Sequence, residues 1–96
     1  MMFKRNRTST VSGPLTRDAL EGWLVAELAR RTQSAESSID TNKPFEAYGL
    51  DSRAAVQVSG QLEKVVERRL SPGILFEHKT ISDLTDYLTR ELRISS

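Results

Sequence analysis

Tyr48-Gly49-Leu50-Asp51-Ser52-Arg53-Ala54-Ala55-Val56-Gln57-Val58-Ser59-Gly60-Gln61-Leu62 is a passage from loop into helix, and the rest of the chain is organised around it. Ala55, Val58, Ser59, Leu62, Val65 and Val66 recur at i, i+3, i+4 spacing, which gathers them on one helical face. Arg53, Gln57, Gln61, Lys64 and Arg68 fall mostly on the other side. The pattern predicts a helix over 52–70, about 28 Å long at ~1.5 Å per residue. Ser52 is able to cap it. Gly60, in its interior, costs about 1 kcal/mol relative to alanine and would permit close approach of another helix or of a partner.

On the N-terminal side, Leu20, Trp23, Leu24 and Leu28 recur at helical spacing, with Glu21, Glu27 and Arg30 between them. Thr16 is a good N-cap, and Asp18 lies in the first turn, where the helix dipole favours an acid. A first helix is therefore expected over 15–32, with Trp23 in the core. Residues 33–51 are polar, with apolar anchors at Ile39, Phe45, Tyr48 and Leu50. A loop of this length is uncommon in a small domain and is often functional; the anchors pin it to the core, and a short turn fits at 44–47. On the C-terminal side, Ser71-Pro72-Gly73 ends the second helix, and Ile74-Leu75-Phe76 supplies about one further turn. Thr80, with Asp83 three residues on, opens a last helix whose inward stripe is Ile81, Leu84, Leu88 and Leu92. No segment alternates as a strand does. The expected fold is all-α: a small four-helix bundle of three main helices and one short one.

Composition narrows the function. The 96 residues suffice for one small domain. The 14 Lys+Arg and 13 Asp+Glu nearly cancel, which argues against nucleic-acid binding. Cysteine is absent, so disulfides, thiolate metal sites and Cys nucleophiles are excluded, and this absence fits a cytoplasmic protein. No apolar run approaches the ~20 residues of a membrane span. The only histidine, His78, lacks a second His or a Cys to work with and reads as a polar loop residue. A Ser-His-Asp site remains arithmetically possible, but a domain of this size offers little room for a substrate cleft, so a non-catalytic protein is expected, with no metal site. Residues 1–14, with Lys4, Arg5 and Arg7, read as a flexible basic tail, and 15–94 as the folded domain.

The chemistry concentrates at Gly49-Leu50-Asp51-Ser52-Arg53. A helix N-terminus presents unpaired amides and a partial positive charge, so an anion on the Ser52 oxygen would be stabilised there. Gly49 is able to adopt the positive φ that turns the chain into the helix. On local physics alone the simpler reading is an ordinary N-cap serine.

The motif Gly49-Leu50-Asp51-Ser52 resembles the attachment site of acyl carrier proteins, and Phe45 to Ser52 resembles the approach to it in carrier domains of polyketide synthases. Leu62-Glu63, Arg69-Leu70-Ser71-Pro72, Leu75-Phe76-Glu77 and Thr80-Ile81 with Leu84 and Leu88 fall where such domains carry similar residues. The likeness extends over about residues 17–92 and includes the helix order. It implies 4′-phosphopantetheine, taken from coenzyme A, on Ser52, with an acyl group held on the arm's thiol. It implies as partners a phosphopantetheinyl transferase, a loading enzyme (a fatty acyl-AMP ligase or an acyltransferase) and ketosynthase or other synthase domains, visited by a monomeric carrier. Asp51 and Arg53, with Gly49 and Leu50, would be read by the transferase. Gln57, Gln61 and Arg68 are candidate docking residues, with a solvated helix face as the plain alternative.

The departures are informative. Arg53 stands where the family usually has an apolar residue, and the acidic docking face of bacterial fatty-acid carriers is not reproduced, so service to polyketide synthesis fits better. Leu50 replaces the second glycine usual in peptidyl carriers. Residues 54–63 resemble carriers paired with fatty acyl-AMP ligases. The alternatives are a peptidyl or aminoacyl carrier of a nonribosomal synthetase, a helix-turn-helix DNA binder built on Arg68-Arg69, and an unmodified helical interaction module.

Overall fold

The computed structural model describes residues 15–93. The sequence-expected tail over 1–14 and the final residue of the expected 15–94 domain lie outside these described residues. Four α-helices follow in order: α1 (Arg17–Thr32), α2 (Ser52–Val66), α3 (Ile74–Glu77) and α4 (Ile81–Glu91). Two 3-10 turns, Glu36–Ser38 and Phe45–Tyr48, punctuate the long loop between α1 and α2. Among the described residues there is no strand. The all-α expectation holds.

The caps explain where the helices start. Thr16 Oγ1 accepts the Ala19 N–H at 3.1 Å and opens α1. Thr80 Oγ1 accepts the Asp83 N–H at 3.0 Å and opens α4. Each bond satisfies one of the amides that a helix start leaves unpaired. Leu20, Leu24 and Leu28 of α1, Leu62 of α2 and Ile81, Leu84 and Leu88 of α4 are at most 1% exposed and form the centre of the core. Burying each contributes roughly 1.5–3 kcal/mol. Trp23 packs half-buried against this cluster. α1 packs along α4, where Arg17 donates to Asp86 Oδ1 from Nη2 at 2.6 Å and from Nε at 3.0 Å.

Two sequence expectations require correction. α2 ends at Val66, not at residue 70, so its 15 residues span about 22 Å. Glu67 turns into the left-handed region at φ 57°, and the amides of Glu67 and Arg68 both return to the Glu63 carbonyl, at 2.7 and 3.3 Å. The Glu63 carboxylate then accepts the Leu70 N–H at 2.7 Å. This reversal turns Leu70 onto the core and sets up α3. Arg68 consequently lies beyond the helix instead of on its face.

The second correction concerns Glu27. It is only 7% exposed, despite reading as an outward residue between the apolar positions of α1. Arg30 Nη2 and Arg31 Nε donate to its Oε2 at 2.6 and 2.7 Å. Burial pushes this carboxyl up, but the hydrogen bonds and charges of Arg30 and Arg31 more than reverse that and hold it below the ordinary glutamate range. Arg31 also reaches α2, donating from Nη1 to Gln57 Oε1 at 3.3 Å.

The long loop is fastened as its anchors predict. Phe45 and Leu50 are buried, and Ile39 and Tyr48 pack against the core. The Tyr48 hydroxyl donates to the Asp40 carbonyl at 2.8 Å and accepts the Asp40 N–H at 2.6 Å. The Phe45 N–H donates to the Lys79 carbonyl at 2.8 Å, and the Ser82 N–H to the Thr41 carbonyl at 2.9 Å. These bonds tie the approach to α2 onto the junction between α3 and α4.

Candidate functional site

Gly49 is the pivot into the site. Its φ of 82° lies in the left-handed region and closes the 3-10 turn, with its N–H donating to the Glu46 carbonyl at 3.0 Å. Leu50 then drops into the core, and this fixes the direction in which Asp51 and Ser52 emerge.

Asp51, not Ser52, caps α2. Its Oδ1 accepts the Ala54 N–H at 2.9 Å, and its carbonyl accepts the Ala55 N–H at 2.9 Å. Ser52 is the first helical residue and is exposed. This corrects the expectation that Ser52 serves as the cap. The Ser52 hydroxyl and the main-chain amides of Ser52 and Arg53 have no hydrogen-bond partner among the described residues. The Arg53 guanidinium is exposed and also free of an ion pair among them.

A reachable hydroxyl thus sits beside two open amides at the positive end of a 15-residue helix, with a free guanidinium next to it. Donors and charge at that place suit a phosphodiester anion on the serine oxygen. The residues present therefore fit a phosphate-linked arm.

A small cleft, partly open to solvent, lies between the long loop, α2 and α3. Leu50, Ala55, Phe45, Leu75 and Phe76 supply apolar walls, with Pro44, Glu46 and Lys79 completing the lining. Phe76 is 49% exposed, so an apolar edge stays open to solvent at this cleft.

The other expected site residues are distributed along α2. Gln57 and Gln61 are exposed on it, Gln57 held by Arg31, while Arg68 lies past its end, with Nη1 donating to the Glu67 carbonyl at 3.5 Å. His78 follows α3 and stacks on Tyr87 at a centroid distance of 4.0 Å. No group of His, Cys, Asp and Glu able to hold a metal occurs among the described residues. None of their helices is long and apolar enough to cross a membrane.

Residues 22–88 match the family described as "Phosphopantetheine attachment site". The chain belongs to this family. It is therefore a carrier domain, of a family whose members carry covalent 4′-phosphopantetheine. Among curated relatives, it is 31% identical over 74 residues to polyketide synthase PksL of Bacillus subtilis, covering 77% of this chain and 2% of that protein. It is 38% identical over 66 residues to polyketide synthase ThaQ of Burkholderia thailandensis, covering 69% of this chain and 3% of that protein. The chain thus spans only a small part of these synthases and corresponds to one carrier domain within them.

Solved structures agree. A free-standing peptidyl carrier protein from Acinetobacter baumannii superposes with a TM-score of 0.74 at 32% identity, over 80% of this chain and 96% of that one. The acyl carrier protein LipD from Actinoplanes friuliensis superposes with a TM-score of 0.70 at 34% identity, over 92% of this chain and 98% of that one. The carrier fold expected from the sequence is borne out.

Proposed function

We propose that Ser52 is the attachment residue and that the chain presents acyl intermediates of polyketide synthesis on its arm. The observation that carries this is the uncommitted Ser52 hydroxyl, set beside the open amides of Ser52 and Arg53. When bound, the arm supplies a terminal thiol that holds the acyl group as a thioester. The chain's own residues present and orient. Asp51 relieves Ser52 of capping, Gly49 and Leu50 fix the turn, and Arg53 and the helix end stabilise the phosphate charge. Asp51 and Arg53 are the residues a phosphopantetheinyl transferase reads. The cleft walled by Leu50, Ala55 and Phe76 shelters apolar cargo.

In this reading the domain over 15–94 is a non-catalytic monomer working in the cytoplasm. Gln57, Gln61 and Arg68 contribute to brief docking with a loading enzyme (a fatty acyl-AMP ligase or an acyltransferase) and with ketosynthase or other synthase domains. Fragment mass spectrometry after treatment with coenzyme A and a broad-specificity transferase tests the attachment point. The added group should localise to Ser52; its appearance on another residue would reject the assignment.

A second reading, an aminoacyl or peptidyl carrier, is favoured by the likeness to the Acinetobacter peptidyl carrier. Offering the arm-bearing protein to an amino-acid-adenylating enzyme and to a fatty acyl-AMP ligase separates the two. Loading by the ligase alone supports the polyketide assignment, and loading by the amino-acid enzyme alone reverses it.

A further inference from the structure

Every charged residue that α2 exposes is a cation, namely Arg53 and Lys64. The acid within α2, Glu63, is half-buried, and its carboxylate is taken up by the Leu70 N–H. Arg53 and Lys64 have no ion-pair partner among the described residues, whereas Arg17, Arg30 and Arg31 are all paired. α4 carries the opposite balance, with Asp83, Asp86 and Glu91 against Arg90. At the ends of α2 the exposed acids Asp51 and Glu67 are outnumbered once Arg68 and Arg69 are added to Arg53 and Lys64, so the near-neutral total hides a net positive charge along the helix that starts at the serine.

Gly60 lies on the same face. Positions 53, 57, 60 and 64 follow i, i+4, i+7, i+11 spacing, so they form one stripe about 17 Å long. Gly60 is exposed, its φ is not in the left-handed region, and a Cβ built on it would meet nothing within 4 Å. A glycine inside a helix weakens it relative to alanine, and nothing in this fold requires one there. The sequence allows for another helix or a partner against Gly60; within the described chain no neighbour approaches it.

We infer that the stripe Arg53, Gln57, Gly60, Lys64 is a contact surface for partner enzymes whose own docking face is acidic, with the partner's backbone seated against Gly60. The inference rests on the carrier reading, because it concerns the enzymes that visit the Ser52 arm. It goes beyond that reading by fixing the partner's charge and point of closest approach. Two cations across ~17 Å answer a few carboxylates on a helix or loop, and Val56, 46% exposed beside the stripe, adds an apolar edge suited to protein. A nucleic-acid site neutralises more phosphates than this, usually with a strong basic excess.

The test is a titration of the 96-residue, 15N-labelled, arm-bearing protein, followed amide by amide. The probes are an amphipathic helical peptide rich in Glu and Leu, its Lys-for-Glu counterpart, and a short DNA duplex. The acidic peptide should shift the amides of 53–64 selectively and bind at least about fivefold more weakly to the R53E/K64E double variant, in line with losing two close charge pairs. Gly60→Ala should weaken it several-fold while raising thermal stability. Gly22→Ala on α1, another helix-interior glycine with nothing within 4 Å of its Cβ, should raise stability without changing binding. Mapping of the acidic peptide elsewhere, equal or tighter binding of the basic peptide or of DNA, or undiminished binding by Gly60→Ala would overturn the inference. Failure of the wild-type protein to acquire the arm at all would instead overturn the carrier reading, so the two failures are distinguishable.

Discussion

Asp51 caps α2 through its carboxylate, and Ser52 follows it as the first helical residue with its hydroxyl uncommitted. Adjacent residues of similar capping ability thus divide two tasks. The acid satisfies the Ala54 amide, and the alcohol remains available for chemistry. Asp51→Ala should lower stability by about 1 kcal/mol, and Asp51→Asn by no more than a few tenths, because asparagine caps as well as aspartate. Urea unfolding midpoints at neutral pH check this. If the Asn variant also falls short in arm attachment while remaining fully folded, the carboxylate charge at position 51 is being read by the transferase.

Gly49 makes the turn that aims Asp51 and Ser52. Gly49→Ala forces a side chain into φ 82° and should cost about 1–2 kcal/mol, although no atom lies within 4 Å of the added Cβ. The loss comes from the backbone and not from a clash, so Gly49→Asn should recover part of it. Thermal unfolding of both variants measures the difference.

Glu67 poses the reverse case. A glutamate holds φ 57° at the end of α2, where glycine is the favoured residue. Glu67→Gly should raise stability by about 0.5–1 kcal/mol, seen as a higher denaturant midpoint with an unchanged slope.

Glu27 gives the fold an acid-sensitive component. Its folded value is held below that of the unfolded chain, which is about 4.3. The associated stability is therefore fully present above about pH 4.3 and is lost as pH falls through the lower folded value. Glu27→Gln should be less stable than the parent at pH 7, by about 1 kcal/mol, with the gap closing as pH falls below the ordinary glutamate range. A gap that is constant with pH would show that the ion pairs with Arg30 and Arg31 are not its source.

Much of this architecture is written in local patterns. The stripe Leu20, Leu24, Leu28 and the caps Thr16 and Thr80 place α1 and α4 because spacing and capping act over a few residues. The anchors Phe45 and Leu50 are legible for the same reason, as apolar residues stranded in a polar loop. The end of α2 is not legible, because a left-handed glutamate breaks local preference and is held by the Glu63 carbonyl and by the packing of Leu70. The burial of Glu27 does leave a trace in the sequence: the residue stands three after Leu24 and seven after Leu20, on the buried stripe, with Arg30 and Arg31 at i+3 and i+4. At the site, residue types alone could not say which of Asp51 and Ser52 would cap; the hydrogen bond to Ala54 decides it.

The most direct test of the account is the intact mass of the folded protein after incubation with coenzyme A and a broad-specificity phosphopantetheinyl transferase, run beside Ser52→Ala. The account predicts a gain of one phosphopantetheine in the parent and none in the variant. No gain in a folded, initially unmodified parent, or an equal gain in Ser52→Ala, would contradict it.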